Sequence, residues 1–295
     1  MTGVAAIESS AGKRTTSVFD DVQFRQWQQL LEARTGLRFT EARRAQLESG
    51  LKQRMAAAGV DDFQAYYDWV IAGGLHGETE WQTLIDYLTV QETRFFRDPR
   101  AMELVGEYLH AQWHRGTEPT QIWSVGCATG EEAYSLAMLA AELNRKAPRQ
   151  RAFAVTGSDI SAPAIHKARL GRYNRRKLEP VPMALQRRYF DYADDQATVR
   201  QSLAEHLCFN RLNVLELDDA PLTGMNVIYC QNLLIYFRRW RRRDLVNALV
   251  ERLSPGGLLV LGPGELPGFE HPDLIQIGSR NCLAWLRKYG KESTE

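Results

Sequence analysis

The stretch Ser124-Val-Gly-Cys-Ala-Thr-Gly130-Glu-Glu132 decides how the rest of this chain is read. It follows the apolar run Ile122-Trp-Ser-Val125, which has the composition of a buried strand, and it opens a helical pattern from Glu131 to Leu143. Strand, glycine loop and helix in succession form the unit from which nucleoside-binding α/β sheets are built. Gly126 and Gly130 permit a sharp turn and a close approach of backbone to ligand. A diphosphate normally rests at such a helix N-terminus, where unpaired N–H groups attract anions. Here Glu131 and Glu132 stand at that place, and carboxylates repel a diphosphate but attract a cation. S-adenosylmethionine, with an ammonium, a sulfonium and no phosphate, suits this charge pattern better than a dinucleotide. The plainer alternative makes both glutamates first-turn partners of the helix dipole.

Working downstream, Phe153 to Asp159 is expected as a strand and Ala162 to Leu170 as a helix. Asn226 to Cys230 and Leu258 to Leu261 read as buried strands, with the amphipathic segment Arg238 to Leu253 between them. Alternating strands and helices predict an α/β domain with a mainly parallel sheet, whose ligands bind at the carboxyl ends of the strands. Thr156-Gly-Ser-Asp159 ends the second strand, where an acidic side chain accepts ribose hydroxyls or, alternatively, caps the next helix. Val227-Ile-Tyr-Cys-Gln-Asn232-Leu-Leu-Ile-Tyr236-Phe237 brings Gln231, Asn232 and Tyr236 to the same edge. An insertion of about 171–213, with Arg175-Arg176-Lys177, Tyr189-Phe190 and the alternating Thr198-Val-Arg-Gln-Ser-Leu203, is expected to add a helix and a small antiparallel hairpin.

Upstream the period is helical throughout. Phe24, Trp27, Leu30 and Leu31 recur at helical spacing, as do Leu47, Leu51 and Met55. Asp61-Asp62 before Phe63 looks like a helix start, Gly73-Gly74 a stop, and Trp81, Leu84, Ile85 and Leu88 another helix. Asp98-Pro99 predicts a helix start, since proline suits the first turn and aspartate caps it. The expected organisation is a disordered lead-in over 1–18, an all-α domain over 19–92, and a catalytic domain over 93–290.

The 295 residues carry a formal charge of +1, so no global field gathers nucleic acid or an anionic membrane. No apolar run approaches the length of a membrane span. The four cysteines form no CxxC pair, and with six scattered histidines they offer no metal-ligand spacing. They are expected as reduced thiols in a cytoplasmic protein, with Cys208 and Cys230 as small buried residues.

Thr93-Arg-Phe-Phe-Arg97, Trp123-Ser-Val-Gly-Cys-Ala-Thr-Gly-Glu-Glu132-Ala-Tyr-Ser135, Ser158-Asp-Ile160 and Tyr229-Cys-Gln-Asn-Leu-Leu-Ile-Tyr-Phe237 together resemble the chemotaxis receptor methyltransferase family (CheR). The likeness runs from about residue 20 to 288, and its last motif looks most like the branch serving type IV pilus chemosensory systems (PilK-like). It implies a Rossmann-like S-adenosylmethionine-dependent methyltransferase sheet with an all-α N-terminal domain and a small inserted β-subdomain. It also implies transfer of a methyl group from S-adenosylmethionine to glutamate carboxylates of a methyl-accepting chemosensory receptor, leaving S-adenosylhomocysteine. By position, the implied cofactor contacts are Gln91, Thr93, Arg97, Gly126 and Glu132, then Asp159, Asn213, Val214, Cys230 and Gln231. Arg97 and Tyr236 fall at the implied active centre. Gln231 replaces an arginine common in the family, Gln91 an asparagine, and Pro263-Gly264 stand where many members have His-Ser before Glu265.

The implied partner is the cytoplasmic domain of such a receptor, met by a monomeric enzyme with no nucleic acid and no membrane insertion. Two segments are candidate recognition elements. The segment Arg43 to Arg54 either faces acidic methylation sites or is a solvated helix face. Tyr192 to Thr198 is short and free of glycine where some relatives grip a receptor's tail peptide, which predicts weak or no binding of such a peptide. Two rival functions remain: a nucleic-acid or small-molecule methyltransferase on the same fold, and a non-catalytic S-adenosylmethionine-binding signalling module.

Overall fold

The computed structural model describes residues 18–116, 118–279 and 282–289; apart from Val18, the expected lead-in lies outside them. The chain divides into two compact units. Among the described residues, one holds those from Val18 to Leu30 together with Phe39–Leu88, and the other Leu31–Arg38 with those from Thr89 onward.

The first unit is helical, and its helices begin where the sequence supplies a cap. Asp20 Oδ1 accepts from the N–H groups of Val22 and Gln23, both at 2.9 Å, at the start of α1 (Asp21–Thr35). Helix α2 (Arg44–Ala58) ends at Gly59, which has a left-handed φ of 70°. Asp62 caps α3 (Phe63–Ile71), accepting from Ala65 N at 2.8 Å, and α4 (Gly74–Leu88) closes the unit. Trp27, Leu47, Phe63, Tyr66 and Leu84 form the fully buried interior, with the Trp27 and Tyr66 rings 5.7 Å apart. Gly50 on α2 lets α4 come close: a Cβ there would lie 2.7 Å from Leu88 Cδ2.

In the second unit Asp98 accepts from Ala101 N at 3.1 Å and Pro99 fills the first turn of α5 (Pro99–Arg115), as the sequence predicts. Then come β1 (Thr120–Val125), α6 (Glu131–Lys146), β2 (Phe153–Asp159) and α7 (Ala162–Leu170). The inserted region holds β3 (Arg172–Asn174), α8 (Met183–Tyr189), β4 (Phe190–Ala193), β5 (Gln196–Val199) and the short α9 (Gln201–Ala204). After it follow β6 (Leu207–Arg211), β7 (Met225–Cys230), α10 (Arg239–Arg252), β8 (Leu253–Leu261), β9 (Leu274–Gln276) and β10 (Leu283–Arg287).

The seven-stranded sheet has the order β6-β2-β1-β7-β8-β10-β9. It is parallel from β6 to β8, while β10 pairs antiparallel with β8 and β9 antiparallel with β10 at one edge. The first strand is therefore interior, with β2 on one side and β7 on the other. That reversal opens a crevice above the carboxyl end of β1, where Gly126 lies.

The insertion differs from its sequence reading in two respects. Its small sheet has three strands, ordered β3-β5-β4, and the alternation expected to continue through Leu203 stops at Val199, where Gln201 starts a helical turn. Leu207–Arg211, expected within the insertion, pairs in parallel with β2 in the large sheet. Cys208 is exposed, contrary to expectation. On this edge strand Phe209 points inward at 5 % exposure, so pleating turns its neighbour Cys208 outward. Cys230, on interior strand β7, is buried as expected.

Candidate functional site

The loop after β1 is held by β2. Gly126 N and Cys127 N both donate to Ser158 O, at 2.8 and 2.9 Å, and Ala128 N donates to Asp159 Oδ2 at 2.9 Å. Gly126 and Gly130 take φ values of 73° and 95°, while Ala128 takes 47°, a conformation that costs an L-residue about 1–2 kcal/mol. A Cβ on Gly130 would lie 2.8 Å from Ala168 Cβ of α7, so this position serves helix packing as well as the turn. The other oxygen of Asp159 accepts from Ser161 N at 2.9 Å, but the cap of α7 is Ser161 itself, which accepts from Ala164 N. Asp159 is therefore not the cap of that helix: it ties two loops together at the strand ends.

The adjacent glutamates part company. Glu131 is fully buried and turned towards the inserted region: Lys177 Nζ of that region donates to it, as does Thr129 Oγ1 of its own loop at 2.6 Å. It is an internal ion pair, which corrects the expectation of two carboxylates facing a ligand. Glu132 lines the cleft at 9 % exposure. Ser124 Oγ donates to its Oε1 at 2.7 Å, and among the described residues no lysine or arginine forms an ion pair with it. Burial pushes its pKa up to about 8; the Ser124 bond opposes the rise, the charge of Glu265 adds to it, and Arg97 opposes it again.

Past β7 the chain turns sharply, with Asn232 at φ 60°. Glu265 holds the turn from behind, its Oε1 accepting from Leu234 N at 2.9 Å and its Oε2 from Gly262 N at 2.7 Å. Pro263-Gly264 builds the support: Glu265 N donates to Gly262 O at 3.2 Å and Gly264 takes φ 76°, the pattern of a type II turn. Gln231 Nε2 donates to Asp98 Oδ2 at 3.1 Å.

The Thr93–Arg97 segment is anchored from both sides. Phe95 is fully buried against the rings of Tyr173 and Phe190, at 5.1 and 5.8 Å, worth about 3–5 kcal/mol if truncated to alanine. Phe96, at φ 48°, donates its N–H to Ser135 Oγ at 3.0 Å. Arg97 Nη1 then donates to Glu92 O at 3.2 Å, and its side chain lines the same cleft as Glu132.

Two adjoining cavities result, sharing Gly126 and Leu233. Thr93, Arg97, Glu132, Gln231, Asn232 and Tyr236 line the first. Asp159, Asn213 and Val214 line the second with Thr35, Leu37 and Phe237. Eight of the expected contact residues thus meet in one cleft, and so does Tyr236. Gln91 and Cys230 line neither cavity: Gln91 donates to Ser161 Oγ at 2.9 Å, and Cys230 is buried in β7 with burial holding its thiol well above the usual range. Sequence reading missed Thr35 and Leu37. Gly36, at φ 73°, packs so tightly on Phe237 that a Cβ would lie 2.4 Å from the ring, and Arg38 N donates to Tyr236 O at 2.8 Å. No local signal marks that contact across some 200 residues. A larger cavity of about 460 Å³, between the C-terminal ends of α5 and α6, includes none of the motif residues.

Carboxylates at both halves of the cleft, one without a basic ion-pair partner, fit a ligand that is cationic at one end and a nucleoside at the other. Cleft and sheet together define an S-adenosylmethionine-dependent methyltransferase. The chain belongs to the CheR methyltransferase family: its SAM binding domain matches residues 91–280 and its all-alpha domain residues 23–89. The chain is 33 % identical over 250 residues to the chemotaxis protein methyltransferase of Salmonella typhimurium, covering 83 % of this chain and 84 % of that one. It is 32 % identical over 256 residues to the Escherichia coli chemotaxis protein methyltransferase, covering 85 and 86 %. A probable biofilm formation methyltransferase, WspC of Pseudomonas putida, is 31 % identical over 263 residues, covering 88 % of this chain and 60 % of its own.

Proposed function

We propose that this enzyme esterifies glutamate side chains on the cytoplasmic domain of a methyl-accepting chemosensory receptor, for adaptation in chemotaxis or pilus-driven motility. The observation that carries the reading is the meeting of Arg97 and Tyr236 with Glu132 around one cleft. The form Cys230-Gln-Asn-Leu-Leu-Ile-Tyr-Phe237 supports a place in the type IV pilus-associated branch. A soluble cytoplasmic monomer fits a partner of this kind, and no helix among the described residues is long and apolar enough to cross a membrane.

When bound, S-adenosylmethionine supplies a methyl group already activated by its sulfonium. Glu132 attracts the ammonium end, Asp159 accepts from the ribose hydroxyls, and Gly126 lets the backbone close on the ligand. Thr93, Asn213, Val214 and Gln231 line its remaining length, with Gln91 and Cys230 supporting the walls from behind. A substrate glutamate is ionised at neutral pH, so the enzyme needs no general base. Arg97 and Tyr236 orient that carboxylate, and Val90, Leu233 and Ile235 exclude water around it. Arg97 already donates to Glu92 O, which keeps it from clamping the substrate anion too tightly and deepening the ground state.

The test is to incubate the enzyme with methyl-labelled donor and a panel of receptor cytoplasmic domains, including receptors of surface-associated systems. Carboxyl methyl esters release labelled methanol in base. Label that stays on the protein in base, or appears on RNA instead, would overturn the reading.

A further inference from the structure

The second cleft wall continues into an exposed surface with its own chemistry. Ile235 and Tyr236 line the cleft, and the chain passes from them through Phe237 into Arg238-Arg239-Trp240-Arg241-Arg242-Arg243 at the start of α10. Two of these arginines are structural. Arg238 pairs with Glu32, while Arg242 donates to Phe237 O at 3.0 Å and Glu265 O at 2.8 Å. The other three are not neutralised: among the described residues none of Arg239, Arg241 and Arg243 pairs with a carboxylate. Arg241 lies 4.5 Å over the Trp240 ring. Trp240 is 54 % exposed and Ile235 50 %, although both are large apolar side chains. Residues 239, 240 and 243 are spaced to share one helix face.

An exposed isoleucine at the reacting cleft, followed five residues on by an exposed tryptophan among three uncompensated guanidinium groups, is an arrangement that suits a protein interface. We propose that the first turns of α10, with Ile235, are the docking platform for an acidic amphipathic helix of the substrate protein, which lays its apolar side chains on Trp240 and Ile235 and its carboxylates against Arg239 and Arg243, while Arg241 braces the Trp240 ring. This rests on the receptor reading above and deepens it. The platform holds the helix that carries the reacting glutamate, so that this carboxylate reaches Arg97 and Tyr236 while its flanking acids are paired outside the cleft.

The experiment uses Arg239→Glu/Arg243→Glu and, separately, Trp240→Ala in the full chain. Glutamate at 239, in the first turn, complements the helix dipole, and glutamate at 243 is as good a helix former as the arginine it replaces, so the charge reversal keeps α10 folded. Methyl transfer is measured to the receptor cytoplasmic domain that the wild type labels best, and S-adenosylhomocysteine binding is measured by calorimetry. The expected result is a KM for receptor raised about tenfold in each variant, with kcat and S-adenosylhomocysteine affinity unchanged. A KM within twofold of wild type in both variants overturns the platform while leaving the esterification reading intact. A wild-type enzyme that forms no base-labile ester on any receptor domain overturns that reading, and with it the partner named here.

Discussion

Glu80 in the helical unit and Glu132 in the sheet unit expose similarly little surface, 6 and 9 %, but Glu132 lies deeper in the protein, and their acidities move in opposite directions. Burial acts to raise both. At Glu80 hydrogen bonds from Arg54, at 2.8 and 2.7 Å, and from Tyr66 at 2.7 Å outweigh it and hold the carboxyl below the usual range. At Glu132 one serine hydroxyl does not suffice, and the neighbouring Glu265 makes matters worse. The first is a satisfied structural ion pair; the second is a carboxyl that burial keeps protonated until a cation pairs with it. The arginines of the two units divide in the same way. In Arg43–Arg54, Arg44 pairs with Asp21 at 2.5 Å, Lys52 with Glu48 at 2.7 Å and Arg54 with Glu80, whereas the first turns of α10 leave three arginines unneutralised. Of the two sequence alternatives for the Arg43–Arg54 segment, its pairing favours the ordinary helix face over a receptor-facing one. Composition alone does not separate a structural charge from a functional one; pairing does.

The largest effect that could break this contrast is at Arg54→Ala, which strands a buried carboxylate and should lower stability by about 3 kcal/mol at pH 7, read by denaturant unfolding. A loss under 1 kcal/mol would mean the pair is not structural. Because the folded pKa of Glu80 is depressed, its share of stability is present above the unfolded value near 4.5 and lost as pH falls through the lower folded value. The variant should show a weaker acid dependence there.

Glu132→Gln should cost S-adenosylhomocysteine about tenfold in affinity, the worth of one charge-assisted hydrogen bond. Its pH dependence has the opposite sense. With a folded pKa near 8, ionisation opposes folding, so the ligand-free wild type loses stability as pH rises from 4.5 towards 8 and the glutamine variant does not. Binding the cationic end lowers that pKa, so calorimetry near pH 7 in two buffers should register proton release for the wild type and none for the variant. Equal proton counts would place the ammonium elsewhere.

Smaller effects sharpen the other half of the comparison. Raising salt from about 50 to 300 mM should raise the wild-type KM for receptor severalfold, as expected for exposed charges, and leave the Arg239→Glu/Arg243→Glu variant nearly flat. Arg43→Glu/Lys52→Glu, just before and on α2, should move KM less than twofold; a larger rise would return recognition to that segment. The smallest signal is expected from a receptor tail peptide. The β4–β5 connection is only Asp194-Asp195, with Ala193 facing Gln196 and Asp194 at φ 51°, which leaves little loop to grip it. Submicromolar affinity in a titration would contradict this.

Much of the molecule was legible in the chain because its signals are local. Strand β2, helix α7, the capped starts of α3 and α5, and the glycine loop follow from neighbours a few positions apart, through hydrophobic period, capping and permitted φ. Side-chain fate was decided through space. Glu131 and Glu132 are adjacent, yet Lys177, 46 residues away, takes one and leaves the other to the cleft. Cys208 faces water because β6 turned out to be an edge, and Leu31–Arg38 joined the sheet unit through contacts with Tyr236 and Phe237. Local stereochemistry is written residue by residue, but the pairing of charges depends on which distant segments the folded chain brings within about 4 Å, where Coulomb energy and desolvation compete. Only the tertiary structure could say which charges were already spoken for.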